Sequence, residues 1–206
     1  MIRAYIYDIK DFDESNHVFS EDVLKKANSY LVEEERKITL ASSLILDEYL
    51  SSKGKSRKDL RFSDKGKPYI EGLFFNISHY KDKVLLVDST RFEIGCDIVE
   101  KIKYSSKFSQ KFFSFKENEL LDKSADKNSL FTKIWAVKES YVKCTGEGIS
   151  FPLSNLSIEF EPKVKVFRNG VEQQHHFIYV FNKEEYFISI TATHEDEVVK
   201  VYKNLK

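Results

Sequence analysis

The chain opens on alternation. Ile2, Ala4, Ile6 and Asp8 fall on one side of an extended segment and Arg3, Tyr5 and Tyr7 on the other, which predicts a strand. The period then lengthens. Ser20 precedes Glu21, Asp22 and Val23 as a helix N-cap, and a second helix is predicted over residues 32–50, with Leu40, Leu44, Leu46 and Leu50 on its apolar side. A solvated Lys/Ser/Gly loop over 51–57 leads towards a short apolar run at 73–77, which ends in Asn-Ile-Ser-His. Strands are predicted over 83–87 and 92–98 with Asp88, Ser89 and Thr90 as the turn between them, then short helices over 104–113 and 116–123. Beyond Gly148 the pattern returns to strands, over 156–160, 164–167, 177–181, 187–192 and 198–202, and Asn169-Gly170 is the strongest hairpin signal in the chain.

Between these regions lies a helix predicted over 130–144, stopped by Thr145-Gly146. At about 100° per residue, Phe131, Ile134, Trp135, Tyr141 and Val142 share one arc, the expected core face. Lys138 falls in the middle of that arc. Either it marks function, as breaks in a local pattern tend to, or its stem covers apolar surface while its ammonium reaches water. Glu139 and Lys143 sit one turn apart at the edge of the arc, carboxylate first, which is the favourable order. Taken alone they also fit an ordinary surface pair.

Composition narrows the classes. With 206 residues, 41% hydrophobic and 14% aromatic, the chain can bury one sizeable core or two small halves. Its 33 basic and 33 acidic residues cancel, which argues against a general nucleic-acid binder but leaves room for a local phosphate site. Cys96 and Cys144 lack C-x-x-C spacing, so neither zinc nor a redox motif is suggested. The first residues lack a signal-peptide core and no apolar run approaches membrane-spanning length, so a cytoplasmic location without a membrane partner is expected. His175 and His176 stand in a linker with no third ligand nearby and read as surface residues; His194, among acids, reads as a turn residue. Periodicity alone gives the class α+β.

Three blocks carry candidate chemistry. Gly66-Lys67-Pro68 runs on to Phe75-Asn76-Ile77-Ser78-His79; Gly95-Cys96-Asp97-Ile98 follows; the last is Trp135-x-x-Lys138-Glu139-Ser140-x-x-Lys143-x-x-Gly146. A hydroxyl and an imidazole at Ser78 and His79 are good donors to an anionic diphosphate, although a histidine at a strand end also serves structure alone. Asp97 ends a strand of apolar residues, where a carboxylate needs a cation or several donors; a cap at a strand–helix junction is the other reading. In this order and spacing, and over residues 61–156, the blocks resemble the 4'-phosphopantetheinyl transferases, specifically the larger monomeric type that activates non-ribosomal peptide and polyketide synthetases. Phe112-Phe113-Ser114 with Glu117 matches a further segment of that family, and its aromatics are expected either in the core or against a carrier protein.

The resemblance implies an α+β fold of two similar halves packed as an intramolecular pseudo-dimer, residues 1–100 and 101–206, with coenzyme A in the cleft between them. It implies transfer of 4'-phosphopantetheine from coenzyme A to a serine of an apo carrier protein, with release of 3',5'-ADP. Mg²⁺ is implied on Asp97 and Glu139. Lys67, Ser78, His79, Arg36 and Lys37 are implied as coenzyme A contacts, and Glu139, Lys143 and Lys138 as catalytic groups. Ser42 and Ser43 stand where relatives often carry an arginine, so the contacts to the nucleotide 3'-phosphate are expected to differ. Many relatives carry an acid two residues after the aspartate; here that position is Val99 and the acid is Glu100. In an extended chain residues two apart share a face and residues three apart do not, so Glu100 is expected to point away from the metal. The other reading is a binding module that keeps this fold without catalysis.

Overall fold

The computed structural model describes residues 1–148, 150–183 and 186–204. The first half runs β1 (Ile2–Asp8), α1 (Glu21–Ala27), α2 (Glu33–Ser52), the short β2 (Arg61–Phe62) and β3 (Pro68–Tyr69), then β4 (Phe74–Tyr80) and β5 (Lys83–Ser89). It continues through β6 (Ile94–Glu100), α3 (Ser106–Phe112), α4 (Phe115–Lys123), α5 (Lys127–Thr145), β7 (Leu156–Glu159), β8 (Lys165–Arg168), β9 (Val171–Glu172), β10 (Phe177–Asn182), β11 (Tyr186–Ala192) and β12 (Val198–Asn204). The class is α+β, as the periodicity predicts.

One path is drawn twice. In the first half β1 leads through α2 to β4 and β5, giving the strand order β1-β5-β4; in the second, β6 leads through α5 to β10 and β11, giving β6-β11-β10. All these pairings are antiparallel. β6, which precedes residue 100, pairs with β11 of the second half. β12 then crosses back to lie parallel beside β1, which ties the end of the chain to its start.

Burial explains the stacking. Ile2, Ala4, Ile6, Leu85 and Val87 of one sheet pack against Ile94, Cys96, Ile98, Ile188 and Ile190 of the other, so the two sheets share a core. The opposite face of the first sheet, with Val84 and Leu86, packs on α1 and α2. β5 is therefore buried on both sides, and its side chains read as an unbroken apolar run rather than as alternation. Each fully buried Leu or Ile of this kind contributes about 1.5–3 kcal/mol relative to exposure. A third core joins α3, α4 and α5 to β7 and β8.

The expected turn at 88–90 is corrected. Asp88 and Ser89 belong to β5, and Asp88, only 1% exposed, accepts hydrogen bonds from Arg3 at 2.8 and 2.6 Å and an ion pair from Lys53 at 3.1 Å. Aspartate disfavours strands locally, but Arg3 stands directly opposite it on β1 and supplies the charge that burial requires. At Asn169-Gly170 the hairpin forms as expected: both residues take positive φ, 49° and 81°, between β8 and β9.

Candidate active site

The site is built where the edge strands of the two sheets meet. β4 and β6 lie side by side, and the Asn76 side-chain oxygen accepts the backbone N–H of Cys96 at 2.9 Å. That bond sets Ser78, two residues on, against Asp97. The Ser78 hydroxyl donates to Asp97 Oδ1 at 2.9 Å. Asp97 shares its face of β6 with Gly95 and Val99, turned towards α5, while Cys96 and Ile98 turn into the shared core.

Gly95 is what lets α5 lie on β6. A Cβ there would stand 2.2 Å from both Ser140 O and Cys144 N, inside the helix backbone. Ser140 completes the seam, its hydroxyl 2.8 Å from those of Ser189 and Thr191 on β11. With the helix seated this way, Lys143 reaches over the strand. Its ammonium donates to Asp97 Oδ1 at 2.7 Å and to Ser78 Oγ at 3.0 Å. Burial pulls the Lys143 pKa down, but the charge and hydrogen bond of Asp97 outweigh it and the net shift is upward.

Glu139 lies one turn earlier on the same face. It makes no hydrogen bond and no ion pair within 4.0 Å among the described residues. Desolvation raises its pKa above the ordinary carboxylate value; Asp97 adds to that rise and Lys143 opposes it. A partly buried carboxylate that is poorly solvated, unbonded and beside a cation is primed to accept a proton or a metal ion.

Glu139 and Lys143 open into a cleft of about 420 Å³. Residues 65–77 contribute Lys65, Lys67 and Asn76 to its lining, with Pro68 and Ile77; the second half contributes the apolar Phe112, Trp135, Val142, Phe151 and Leu153. Lys67 donates to Glu93 at 2.7 Å and to Cys144 O at 3.0 Å, where α5 ends, so it also satisfies a terminal helix carbonyl. Gly146, at φ 72°, is the left-handed cap that turns the chain along the rim. A second depression of about 340 Å³ lies between β8 and β10, on a different part of the surface from these carboxylates.

Of the residues picked out in the sequence, Lys67, Glu139 and Lys143 line the cleft, and Ser78 and Asp97 lie directly behind Lys143. Others fall elsewhere. Lys138 is fully buried and faces away from the cleft, paired with Glu117 at 2.7 Å. Its ammonium does not reach water, because the end of α3, α4, the turn at 153–155 and β7 close over that face of α5 and supply its acceptors. Burial lowers its pKa, with Glu117 opposing. Arg36 is engaged by Glu14 at 2.7 Å and Lys37 by Lys10 O at 2.8 Å, and neither lines the cleft. His79 alternates with Ser78 along β4 and so turns to the face that carries α2; the protein around its ring, and then Lys143, hold its pKa below the ordinary value. Glu100 turns to the side opposite Asp97 and pairs with Lys81, and β6 keeps regular register with β11 through residue 100, with no bulge. Val99 is buried against Ala136 and Phe187.

Two further expectations change. Trp135, assigned to the core, does pack against it, on Phe108 and Phe112 with ring centroids 5.0 and 6.4 Å apart, but is only partly buried and also lines the cleft. His176 is half-buried, its ring 4.9 Å from that of Tyr141, whereas His175 is exposed. Asn76, Phe151 and Gly95 were not singled out by role. For Gly95 the signal was a glycine inside a strand pattern, which marks close backbone approach.

A model of the 4'-phosphopantetheinyl transferase superfamily matches residues 93–199, which include Asp97, Glu139 and Lys143. Among curated proteins the chain is 36% identical to the 4'-phosphopantetheinyl transferase ffp of Bacillus subtilis over 62% of this chain and 58% of that one. It is 32% identical to the 4'-phosphopantetheinyl transferase Sfp of Bacillus subtilis strain 168, over 65% of this chain and 63% of that one. It is also 32% identical to the 4'-phosphopantetheinyl transferase HetI of a Nostoc species, over 69% of this chain and 65% of that one. The chain thus spans about three fifths of the length of these relatives. Because the superfamily model covers just over half of the 206 residues, and covers the helix and the strand that hold the carboxylates, the chain belongs to the 4'-phosphopantetheinyl transferase superfamily.

Proposed function

We propose that the chain moves the 4'-phosphopantetheine group of coenzyme A onto a serine of an apo carrier protein. The observation that carries this is Glu139, unbonded and with a raised pKa, beside the Lys143–Ser78–Asp97 knot at the mouth of a cleft whose lining includes Lys65 and Lys67. Lys67 and Lys143 hold the pyrophosphate of the donor, with Ser78 and Asp97 fixing the Lys143 ammonium from beneath and His79 acting from the α2 side. Glu139 takes the proton of the incoming serine hydroxyl. The serine oxygen bonds to the phosphorus that bears pantetheine, the bond from that phosphorus to the bridging oxygen breaks, and 3',5'-ADP leaves with that oxygen. Lys143 stands where negative charge grows on the leaving phosphate.

Mg²⁺ fits the donor set. Among the described residues Asp97 Oδ2 and both Glu139 oxygens accept no hydrogen bond, and carboxylate oxygens with water and phosphate are what this ion takes. Among the described residues no third acid, histidine or cysteine joins them, so water and substrate oxygens complete the shell. When bound, the ion supplies charge neutralisation at the pyrophosphate. Arg36 and Lys37 reach the nucleotide end only if their pairs with Glu14 and Lys10 open. We propose a monomer, since β6–α5–β10–β11 repeats the path of β1–α2–β4–β5 within one chain, and a cytoplasmic setting; among the described residues no helix is long and apolar enough to cross a membrane.

The test is the mass of an apo carrier protein incubated with coenzyme A, with Mg²⁺ and with chelator. A gain of one phosphopantetheine arm only with the metal supports the reading. Binding of coenzyme A without any gain in mass identifies a non-catalytic binding module of the same fold.

A further inference from the structure

Lys138 and Glu117 are both 0% exposed and 2.7 Å apart. Replacing a buried ion pair by apolar residues is often neutral or stabilising, so the pair is poorly explained as a source of stability. Its partners suggest another purpose. The Lys138 ammonium donates to Leu153 O and Leu156 O at 2.9 Å each and to Phe112 O at 3.3 Å, and lies 5.0 Å over the Phe113 ring. Glu117 accepts the backbone N–H of Ile158 at 3.0 Å on one oxygen, and the N–H and hydroxyl of Ser114 at 2.7 and 2.9 Å on the other. The contacts of the pair therefore tie together four pieces of chain: the end of α3, the start of α4, the turn at 153–155 and β7.

Two of those pieces are the apolar wall of the cleft. Phe112 and Leu153 line it, and Trp135 leans on Phe112. On α5 itself, Lys138 and Ser140 flank Glu139 and are fastened on opposite sides, to β7 and to β11. The helix is thereby prevented from turning about its axis.

We propose that the buried Lys138–Glu117 pair is a positioning device for the reaction: it fixes the rotation of α5, and so the aim of Glu139, and it holds the Phe112–Leu153 wall at a set distance from the phosphate side. This rests on the transferase reading above. Neither residue touches substrate. Loss of the pair lowers turnover and loosens the packing of Trp135, while coenzyme A affinity, carried by Lys67 and Lys143, is preserved.

The test uses the double substitution Lys138→Met with Glu117→Leu, which removes both charges at similar volume; either single change would strand a buried charge and unfold the site. Trp135 is the only tryptophan in the chain, so its emission reports the wall directly. The expected result is a Tm at or above that of the parent and a coenzyme A Kd within about twofold. With it come a kcat lower by on the order of 10-fold or more, as misplacement of about an ångström predicts, and stronger acrylamide quenching of Trp135. Parent kcat with parent quenching would overturn the proposal. If the parent protein itself modifies no carrier, the transferase reading fails; quenching and Kd then decide the positioning role alone, and unchanged quenching overturns it.

Discussion

Gly95→Ala tests the architecture of the site more directly than any change to a charged residue. The added methyl would stand 2.2 Å from Ser140 O and from Cys144 N and 2.7 Å from Cys144 Cα, all of them backbone. No rotamer change can relieve this. An ordinary contact begins at 3.4 Å, so α5 must withdraw from β6 by about 1.2 Å, or the strand must bow by as much. Either movement pulls Lys143 from its 2.7 Å bond with Asp97 and shifts Glu139 with it. Overpacking of this kind costs roughly 1–3 kcal/mol, and in a domain of this size each kcal/mol lowers Tm by about 2–4 °C. A displacement of about 1 Å at reacting groups costs on the order of 10²-fold in rate. The expected variant is thus folded, melts about 2–12 °C lower, and transfers phosphopantetheine to an apo carrier at about a hundredth of the parent rate. Stopped transfer assays read by intact mass, beside a thermal melt, measure both. A variant with parent kcat and parent Tm would mean that the helix does not lie on the strand as described, and the account of how Glu139 and Lys143 meet Asp97 would fall with it.

Three further outcomes are expected. Glu139→Gln lowers turnover by on the order of 10²-fold, the scale of losing a general base. Because the folded-state pKa of Glu139 is raised, its favourable contribution is complete below the unfolded value and is lost as pH rises through the folded one. At pH 7 the variant should therefore be at least as stable as the parent in urea, and the parent's acidic limb of kcat/KM should lie above the ordinary glutamate pKa. Lys67→Ala raises the KM for coenzyme A more than that for the carrier, and more than His79→Ala does, because Lys67 lines the cleft while His79 turns to the α2 face; equal effects on both substrates would count against a phosphate role. Asp97→Ala removes Mg²⁺-dependent activity whereas Glu100→Ala leaves the Mg²⁺ titration unchanged, since Glu100 faces Lys81; a Glu100 variant that behaves like the Asp97 variant would refute that geometry.

Much of the frame was legible in the residues. The alternation at residues 2–8 is β1, the helical period near residue 130 is α5 to within a few residues of Lys127–Thr145, and Asn169-Gly170 turns the hairpin it should. The step from Asp97 to Val99 and Glu100 was also readable, because strand alternation is local geometry and no bulge disturbs it. These features depend on the chain within a few residues of themselves.

What the chain could not decide alone is which neighbour covers each face. On α5, Lys138 and Lys143 look alike in one dimension: both are lysines on a largely apolar helix. β7 and α4 close over Lys138 and give it a buried partner, while the meeting of β4 and β6 leaves Lys143 between Ser78 and Asp97 at an open cleft. Asp88 was misread for the same reason, since the arginine that allows its burial lies 85 positions earlier. Trp135 shared the core arc in the period, and α3 packs on it through Phe108 and Phe112, yet that cover is partial and the indole also lines the cleft. Periodicity specifies the faces of an element through bonds three or four residues apart. The occupant of a face is set by contacts between segments far apart in sequence, and there the charge balance and the geometry of the candidate site were determined.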